Sequence, residues 1–344
     1  MSNSDKKLRV LQVGCGGRAQ AHLLAMKDCG AVEIVGLCEL DERKLRDTGD
    51  KFKIERRYKF IAEAIKAESP ELVDIVTPPT LRTAVVEPAI AAGAPAILIE
   101  KPIALTPSEQ RKLVALGKDR LIAVNTQYQW MPHWQRFWGM LAEKQFGEIE
   151  RICCGTLTNI LEQAPHVLDL ALKAARVSGL PDPEWVLAAC SGVERFGKTP
   201  VPADTAATIG LGNARIHLNQ GPSAHPVPDE TCFWYHNTLD ILGSKGRLLV
   251  TLNQGWKYWL EGKFEKGETG WPKNDGEAQQ ALFVQLRDTL HVGDWREFPT
   301  RVQIAAQIGD VMFACYASAL GGGRVTLPAE FPDSIVERLE YLPK

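Results

Sequence analysis

The residues best suited to bind a ligand lie near the start of the chain, where Gly14, Gly16 and Ala19 follow a short apolar run. This G-x-G-x-x-G/A spacing is typical of a strand that turns into a helix and binds a dinucleotide. Gly14 permits the turn, Gly16 lets the backbone approach a pyrophosphate, and Ala19 lets the helix pack on the sheet. The free N–H groups of the helix start then attract phosphate. The predicted cofactor-binding residues here are Gly14, Gly16, Gly17, Arg18 and Ala19.

An acidic residue follows the next predicted strand. That strand runs from Glu33 to Cys38, and Glu39 lies roughly 20 positions beyond the glycines, where a carboxylate accepts hydrogen bonds from the ribose hydroxyls of NAD. The same carboxylate repels the 2′-phosphate of NADP. The sequence therefore predicts NAD as the cofactor and disfavours NADP, with Arg43 leaving dual specificity open. The alternative is a Glu39 that only caps a helix or faces solvent.

Short apolar strands alternate with helices as far as about residue 125. The runs 72–76, 96–99 and 121–124 are continuously apolar, as in strands buried in a parallel sheet. Repeated alternation predicts an α/β fold with a doubly wound parallel sheet, whose ligands bind beyond the carboxyl ends of the strands. The further cofactor-binding residues predicted at these ends are Thr77, Pro78, Pro79, Glu100, Lys101 and Asn125.

The second part of the chain has a different texture, with longer strands rich in β-branched and aromatic residues. Turn signals such as Gly212-Asn213 separate them and predict a mostly antiparallel sheet. We therefore expect two domains, a dinucleotide-binding domain over 1–125 and a substrate-binding and oligomerisation domain over 126–344. The predicted strands are 149–159, 185–194, 206–211, 214–219, 231–242 and 247–252, and the predicted helices are 131–144, 166–176, 277–291 and 301–320.

The composition excludes several classes of partner. The 344 residues carry 40 Lys and Arg against 42 Asp and Glu, a formal net charge of -2, and the charges are interspersed. Nucleic acid and anionic membrane are therefore not expected partners. No run reaches roughly 18 consecutive apolar residues, so a soluble cytoplasmic protein is expected. The eight cysteines include no C-x-x-C pair and are interpreted as free thiols.

Two further signatures give the chain a specific resemblance. Thr77-Pro78-Pro79 and Glu100-Lys101-Pro102 follow the glycine loop in order, and Glu162 to Asp169 reads E-x-x-x-H-x-x-D. This succession is similar to that of the glucose-fructose oxidoreductase/inositol dehydrogenase/MocA family over nearly the whole chain. The resemblance implies a Rossmann domain joined to an open α/β domain, and NAD(P)-dependent oxidation or reduction of sugars and polyols.

The resemblance also implies that Lys101 and His166 are the catalytic pair. Glu162 stands where the family usually has Asp, Arg82 where it often has His, and Gln129 where it often has Arg. The last two are expected near the substrate, so the particular sugar does not carry over. The predicted substrate-binding residues are Lys101, Arg82, Gln129, Glu162 and His166.

The positions of Lys101, His166 and Glu162 in the predicted elements support the catalytic roles that the resemblance implies. Lys101 follows a buried strand and precedes a proline, which favours an extended backbone, whereas lysines at strand ends otherwise reach water. Pro165 suits the first turn of a helix, which places Glu162 just before it, within reach of His166. A carboxylate beside an imidazole raises its basicity. Glu162, His166 and Asp169 match no zinc signature, so no metal is predicted.

The sequence thus predicts an NAD-dependent oxidoreductase that transfers hydride between nicotinamide and a secondary alcohol or ketone of a sugar, polyol or sugar derivative. Two alternatives stay open: a glycosidase that retains NAD and acts by transient oxidation and elimination, and a catalytically silent sugar or nucleotide sensor. A homodimer or homotetramer is expected, because the long strands of the second domain need cover on both faces.

Overall fold

The computed structural model describes residues 6–343. Residues 1–5 of the first predicted domain and residue 344 of the second lie outside the described residues. The chain divides into two compact units, and the division does not follow the order of the sequence. The first unit comprises Met1–Leu105, Glu109–Trp130 and Gly276–Ala306. The second comprises Thr106–Ser108, Met131–Asp275 and Gln307–Lys344. Residues 276–306 therefore lie in the first unit, although the sequence assigned them to the second domain.

A hydrogen-bonded return of the chain explains this difference. The Val124 N–H donates to the Thr300 carbonyl over 2.8 Å. Ala123 forms an isolated antiparallel bridge with Arg301. Because the last strand of the first sheet thereby gains a neighbour from far along the chain, the late segment is held in the first unit.

The first unit is built on a six-stranded parallel sheet. The strands lie in the order β3-β2-β1-β4-β5-β6, the order of a dinucleotide-binding fold, which confirms the predicted doubly wound sheet. Its central strands are buried throughout, as their apolar sequences predict. The strands are β1 (Leu8–Val13), β2 (Val32–Cys38), β3 (Arg57–Tyr58), β4 (Leu72–Ile75), β5 (Ala96–Glu100) and β6 (Leu121–Asn125).

Five helices connect these strands. Asp41 caps the second helix by accepting hydrogen bonds from the N–H groups of Arg43 and Lys44. Gly93, with a positive φ of 98°, follows the end of the fourth, as expected for a glycine that stops a helix. The helices are α1 (Gly17–Asp28), α2 (Glu42–Phe52), α3 (Ile61–Glu68), α4 (Arg82–Ala91) and α5 (Pro107–Leu116).

The second unit contains a nine-stranded, mostly antiparallel sheet in the order β14-β13-β12-β11-β7-β10-β9-β8-β15. Only β7 and β10 pair in parallel within the described residues. The mainly antiparallel second sheet is therefore confirmed. The strands are β7 (Ile149–Thr156), β8 (Trp185–Phe196), β9 (Thr199–Leu211), β10 (Ala214–Gln220), β11 (Thr238–Gly243), β12 (Gly246–Thr251), β13 (Gly255–Leu260), β14 (Lys263–Gly267) and β15 (Val325–Thr326).

The first four of the five later helices lie within a few residues of their predicted positions, and the short fifth helix was not predicted. Trp134, in the first of these helices, is almost fully buried. The helices are α6 (Pro132–Ala142), α7 (Ala164–Val177), α8 (Lys273–Val292), α9 (Val302–Gly321) and α10 (Ser334–Glu337).

Several strand predictions were wrong or incomplete in the second unit. β9 begins at Thr199 rather than at residue 206, and the short strand β15 was missed. β11 begins at Thr238 rather than at residue 231, because Phe233–Tyr235 form a 3₁₀ turn despite their high β propensity. The hairpin of β13 and β14 was missed, although its strands meet at Glu261 and Gly262, both with positive φ. Two consecutive residues with positive φ are typical of the tight turn of a hairpin.

One helix of the described residues, α9, is long and apolar enough to cross a membrane by length and composition alone. Most of it is buried, as is usual for a core helix. All eight cysteines are free thiols, as the sequence predicts.

Candidate functional site

The glycine loop between β1 and α1 has the conformation that the motif predicts. Gly14 has a φ of 93°, and a Cβ there would lie 2.3 Å from the Val76 carbonyl oxygen. Its N–H donates to the Cys38 carbonyl over 2.8 Å. The fold therefore requires glycine at this turn, because any side chain would collide with the backbone at the end of β4.

Gly16 and Gly17 differ from Gly14 in this respect. Both are exposed, and a Cβ on either residue would meet nothing within 4 Å. Packing of the protein therefore does not require them to be glycine. Gly16 is the N-cap of α1 and has an extended backbone. As a glycine it has no side chain that could cap the first N–H groups of the helix. This bare backbone at a helix N-terminus suits the close approach of a phosphate, so the loop fits a dinucleotide.

Glu39 lies at the carboxyl end of β2 and faces the glycine loop. Its carboxylate accepts hydrogen bonds from the Cys15 N–H over 2.9 Å and from the Asp41 N–H over 3.1 Å. Arg43, the residue that would soften a preference for NAD, pairs instead with Asp47 at 3.5 Å. The half-buried carboxylate is thus oriented beside the loop, as expected for a ribose-binding group.

A buried polar network lies behind the loop, where β4, β5 and β6 end. His22 of α1 contacts Asp74 through Nδ1 at 2.8 Å and Glu100 through Nε2 at 3.0 Å. The Oε1 atom of Glu100 also accepts hydrogen bonds from Arg18 Nε over 3.0 Å and from Asn125 Nδ2 over 2.7 Å. Two of the predicted cofactor-binding residues, Arg18 and Asn125, therefore donate hydrogen bonds to the carboxylate of a third, Glu100.

The network extends to the backbone of the predicted catalytic lysine and to α8. Glu100 Oε2 accepts a hydrogen bond from the Lys101 N–H over 3.1 Å. Gln279 of α8 accepts hydrogen bonds through Oε1 from Arg18 over 3.0 Å and from Asn125 over 3.1 Å. The network thus fixes the residue that precedes Lys101, while the Lys101 side chain is half-buried.

Electrostatics explain the charges in this network. Burial alone would lower the pKa of His22, but Asp74 and Glu100 raise it to about 9. Burial opposes ionisation of Glu100, yet Arg18, His22 and Lys101 hold the pKa of its carboxyl well below the usual range. Burial raises the pKa of Asp74. At neutral pH the raised pKa of His22 and the lowered pKa of Glu100 favour a protonated His22 beside an ionised Glu100.

Arg82 does not occupy the position that the sequence predicts. Its side chain is fully buried, and the guanidinium donates to the Thr77 carbonyl over 3.4 Å and to the Pro102 carbonyl over 3.3 Å. Burial lowers the pKa of Arg82 to about 10. The structure assigns this cation to the two loops after β4 and β5 rather than to substrate. Gln129 is buried in the 3₁₀ turn Gln127–Trp130, and its substrate contact stays a prediction.

The other predicted catalytic residues belong to the second unit. Pro165 occupies the first turn of α7, and Glu162 comes just before the helix, as the sequence predicts. The Gln163 N–H donates to Thr158 Oγ1 over 3.1 Å, and the His166 N–H donates to the Gln163 carbonyl over 3.0 Å. This turn fixes the start of α7 and the backbone at His166.

His166 and Asp169 share one face of α7, because residues three apart are neighbours on a helix. Both are buried. Lys173 continues this face, and its Nζ lies 4.9 Å from the centre of the Trp138 ring. Burial lowers the pKa of Lys173 to about 8, against the opposing charge of Asp169. The predicted roles of His166 and Glu162 stay predictions.

Sequence reasoning missed His22, Asp74 and Gln279. Asp74 carried a usable signal, because a carboxylate inside the apolar run of β4 needs a buried partner. No comparable signal identified Gln279, which joins the site from more than 150 positions beyond Asn125. Within residues 6–343, no group of three or more His, Cys, Asp or Glu side chains is arranged to hold a metal ion.

Comparison with known proteins supports the site in the first unit. Residues 8–126 match the model of an oxidoreductase family with an NAD-binding Rossmann fold, the GFO_IDH_MocA family. This match confirms the NAD-binding Rossmann fold predicted from the glycine loop, and it supports the resemblance over residues 8–126. A D-apiose dehydrogenase of Paraburkholderia graminis is 36% identical over 129 residues, which are 37% of this chain and 34% of that protein. The chain thus matches only about a third of that curated relative's length.

Solved structures extend the likeness of the fold to nearly the whole chain. An oxidoreductase from Agrobacterium radiobacter, in complex with NAD⁺, L-tartaric acid and magnesium, is similar with a TM-score of 0.78 and 21% identity. The similarity covers 93% of this chain and 98% of that one. A levoglucosan dehydrogenase in complex with NADH and levoglucosan has a TM-score of 0.79 and 19% identity, over 94% of this chain and 100% of that one. At these identities the likeness establishes the two-part fold.

Proposed function

Because residues 8–126 belong to the glucose-fructose oxidoreductase/inositol dehydrogenase/MocA family with its NAD-binding Rossmann fold, we propose that the chain is an NAD-dependent dehydrogenase of sugars, polyols or their derivatives. One observation carries this proposal. The glycine loop, Glu39 and Lys101 follow β1, β2 and β5, strands of one parallel sheet, so they lie at the same edge. That edge is where such sheets bind ligands.

In this proposal NAD is held by the Gly16 and Gly17 backbone and by Glu39, and when bound it supplies a hydride acceptor. His166 takes the proton of the substrate hydroxyl, the role that histidine most often has in general acid–base catalysis. Lys101 stabilises the developing alkoxide with its positive charge. Glu162 orients the His166 ring.

The first experiment screens the purified protein with NAD against a panel of sugars, polyols and sugar acids, with D-apiose and levoglucosan included because the similar proteins are named for them. NADH formation is measured by absorbance. Turnover of one sugar supports the proposal, whereas no NADH with any member contradicts it. Hydrolysis of a nitrophenyl glycoside without net NADH would instead establish the glycosidase alternative.

Lys101→Ala and His166→Ala test the catalytic pair on the sugar that the panel identifies. Each change should lower turnover by roughly 100-fold or more while NAD affinity is retained, as is usual for acid–base groups. Gln129→Ala should change KM more than kcat if that amide binds substrate. Near-normal turnover in both alanine variants would contradict the assigned chemistry.

The glycine loop offers a matched test of cofactor binding. Gly16→Ala places a Cβ where the protein has nothing within 4 Å, so it should weaken NAD binding with little loss of stability. Gly14→Ala should destabilise the fold itself, because its Cβ meets the Val76 carbonyl at 2.3 Å. NAD affinity is measured by fluorescence titration and stability by urea unfolding. Equal loss of stability in both variants would contradict the assignment.

Glu39 decides between the two nicotinamide cofactors in this proposal. The wild type should bind NAD more tightly than NADP, and Glu39→Ala should reduce that preference, because it removes both the ribose hydrogen bonds and the repulsion of the 2′-phosphate. A wild type that prefers NADP would contradict the prediction.

A second copy of the chain covers one face of the nine-stranded sheet in this proposal. Helix α7 packs on β7, β10 and β11. The other side has a shallow depression of about 820 Å³, lined by residues that include Cys153, Thr208 and His217. A homodimer or homotetramer would bury this polar and small-residue surface. Sedimentation at micromolar concentration should show the oligomer, and a monomer would reject it.

We place this protein in the cytoplasm, with a small sugar or polyol as its partner rather than nucleic acid or membrane. The near-balanced, interspersed charges support the absence of nucleic-acid and membrane partners. Fractionation of cells that express the native chain should recover it in the soluble cytoplasmic fraction, and recovery with membranes would contradict this.

A further inference from the structure

His22 stands between two carboxylates at the centre of the first unit. The ring is fully buried, and its two nitrogens lie 2.8 Å from Asp74 Oδ2 and 3.0 Å from Glu100 Oε1. Phe283 of α8 packs edge-on against the ring, with 5.9 Å between ring centres. With water excluded, the imidazole and the carboxylates must satisfy one another.

The neighbouring amide allows two protonation states to be compared. Asn125 Nδ2 lies 2.9 Å from His22 Nε2, so a neutral ring could accept a hydrogen bond from it. That state leaves the Nε2 lone pair facing the Glu100 carboxylate. A doubly protonated ring instead donates to both carboxylates, and Asn125 Nδ2 donates to Glu100 and to Gln279. A full negative charge on Glu100 outweighs the dipole of one amide.

Charge balance favours the same state. The charged groups facing His22 are Arg18 on α1, Asp74 on β4 and Glu100 at the end of β5, and Lys101 lies beside Glu100. Arg18 and a charged His22 together neutralise Asp74 and Glu100. A neutral ring beside two ionised carboxylates would leave one of them without compensation, which is costly in a site of low dielectric. The direction of the His22 pKa, raised to about 9, agrees with this geometry.

The link from His22 to Lys101 runs through a single side chain. Glu100 Oε1 accepts hydrogen bonds from the side chains of His22, Arg18 and Asn125. Its Oε2 accepts a hydrogen bond from the Lys101 N–H. A carboxylate held by this many donors has one orientation, and it therefore fixes the peptide on which Lys101 begins.

The other side of Lys101 is held independently. Arg82 donates to the carbonyl of Pro102, the residue after Lys101. The lysine thus lies between two anchored backbone positions, and only one of them depends on His22.

We infer that His22 is a positively charged bridge between Asp74 and Glu100 and that it acts as the positioning residue for Lys101. The inference rests on the proposed dehydrogenase function for its kinetic consequences only. His22 does not contact substrate or exchange protons with it; it holds Glu100, and Glu100 holds the Lys101 peptide.

The charge is tested on the wild type by NMR of the full chain labelled with ¹⁵N-histidine. At pH 7 both ring nitrogens of His22 should give imidazolium shifts, and the transition to the neutral ring should lie near pH 9. His22→Gln assigns the signals by their loss. A neutral His22 ring at pH 7 would overturn the inference.

The positioning role is tested kinetically with His22→Gln, and His133→Gln in the second unit serves as a control for substitution of a buried histidine. His22→Gln should lower kcat by about 10- to 100-fold, as do other changes to groups that orient a reacting residue. KM and NAD affinity should stay within about threefold of wild type. An unchanged kcat and pH profile in the folded variant would overturn the positioning role.

Two additions separate failure of this inference from failure of folding or of the proposed function. If His22→Gln does not fold, the double variant His22→Gln/Asp74→Asn removes both charges and leaves the Arg18–Glu100 pair balanced, and the same kinetics apply. If no sugar is oxidised, Lys101 is followed instead by ¹³C NMR after reductive dimethylation. Its resonance, assigned with Lys101→Arg, should move in His22→Gln and not in His133→Gln, and an unmoved resonance would overturn the inference.

Discussion

Two buried histidines, one in each unit, have opposite surroundings. His22 lies between Asp74 and Glu100, and the two carboxylates raise its pKa to about 9. His133 lies on α6 beside Trp134 and Phe137, with ring centres 5.6 and 6.3 Å away, and burial lowers its pKa to about 4. At pH 7 one ring is therefore charged and the other neutral.

The difference shows that burial alone does not determine what a histidine does. Around His133 the side chains are aromatic, and Trp134 stacks on Trp138 with 4.7 Å between ring centres. Such packing stabilises by area and shape. Around His22 the polar network stabilises one arrangement of charges, and every member depends on the others. The first unit thus places buried polar groups beside its candidate site, and the second builds an apolar layer.

The largest effect should come from removing each ring. His22→Leu leaves Asp74 and Glu100 without the cation between them, and loss of one partner of a buried ion pair costs about 3–5 kcal/mol. His133→Leu replaces a neutral ring among aromatic groups and should cost less than about 1.5 kcal/mol. Urea unfolding at pH 7 followed by tryptophan fluorescence measures both. An equal loss of unfolding free energy in the two variants would contradict the difference in charge between the two histidines.

A second, smaller effect should appear in the pH dependence of stability. The folded pKa of His22 lies above the unfolded value of about 6.5, so its stabilisation is complete below pH 6.5 and is lost as pH rises to about 9. The loss is on the order of 3 kcal/mol. For His133 the folded pKa is lowered, so stability is lost as pH falls from about 6.5 to 4.

Unfolding free energies are measured from pH 4 to 10 for the wild type, His22→Gln and His133→Gln. Subtraction of each variant from the wild type removes the contribution of buried thiols that titrate in the same alkaline range. The difference should have opposite slopes for the two histidines. Slopes of the same sign would contradict the assigned charge states.

The smallest effect concerns Lys173, whose ammonium group lies over the ring of Trp138. Lys173→Met keeps the length of the side chain that lies over Trp138 and removes its charge. The unfolding free energy at pH 7 should change by less than about 1 kcal/mol, because removing the cation–π attraction also removes the cost of burying the ammonium group. The same urea titration checks this, and a loss as large as that of His22→Leu would show that the layer also depends on charge.

The first unit could be predicted well from the sequence because its signals are local. Continuous apolar runs identify the parallel strands, and Gly14 and Glu39 lie at fixed positions relative to β1 and β2. The polar network was not predicted, since His22, Asp74 and Glu100 are brought together by the order of the strands and not by their spacing. Arg82 was placed near substrate by analogy with relatives, whereas the structure buries it.

The second unit was predicted less exactly for a physical reason. β propensity reflects a half-buried pleated surface, so Phe233–Tyr235 look like a strand while forming a 3₁₀ turn. The hairpin at Glu261-Gly262 had a turn signal, but its strand β14 is mostly exposed and lacks an apolar face. Strands that pair at the edge of a large sheet need fewer apolar residues than those inside it.

The return of residues 276–306 to the first unit has a consequence for biosynthesis. The six strands of the first sheet have all been synthesised once residue 125 is added, but Gln279 and Thr300, which hydrogen-bond to Asn125 and Val124, come much later. At roughly 5–20 residues per second, synthesis from Trp130 to Ala306 takes about 10–35 seconds. During that time the carboxyl end of β6 and the charges around Glu100 await their last partners, so the nascent chain holds an unfinished cofactor domain while it makes most of the second unit.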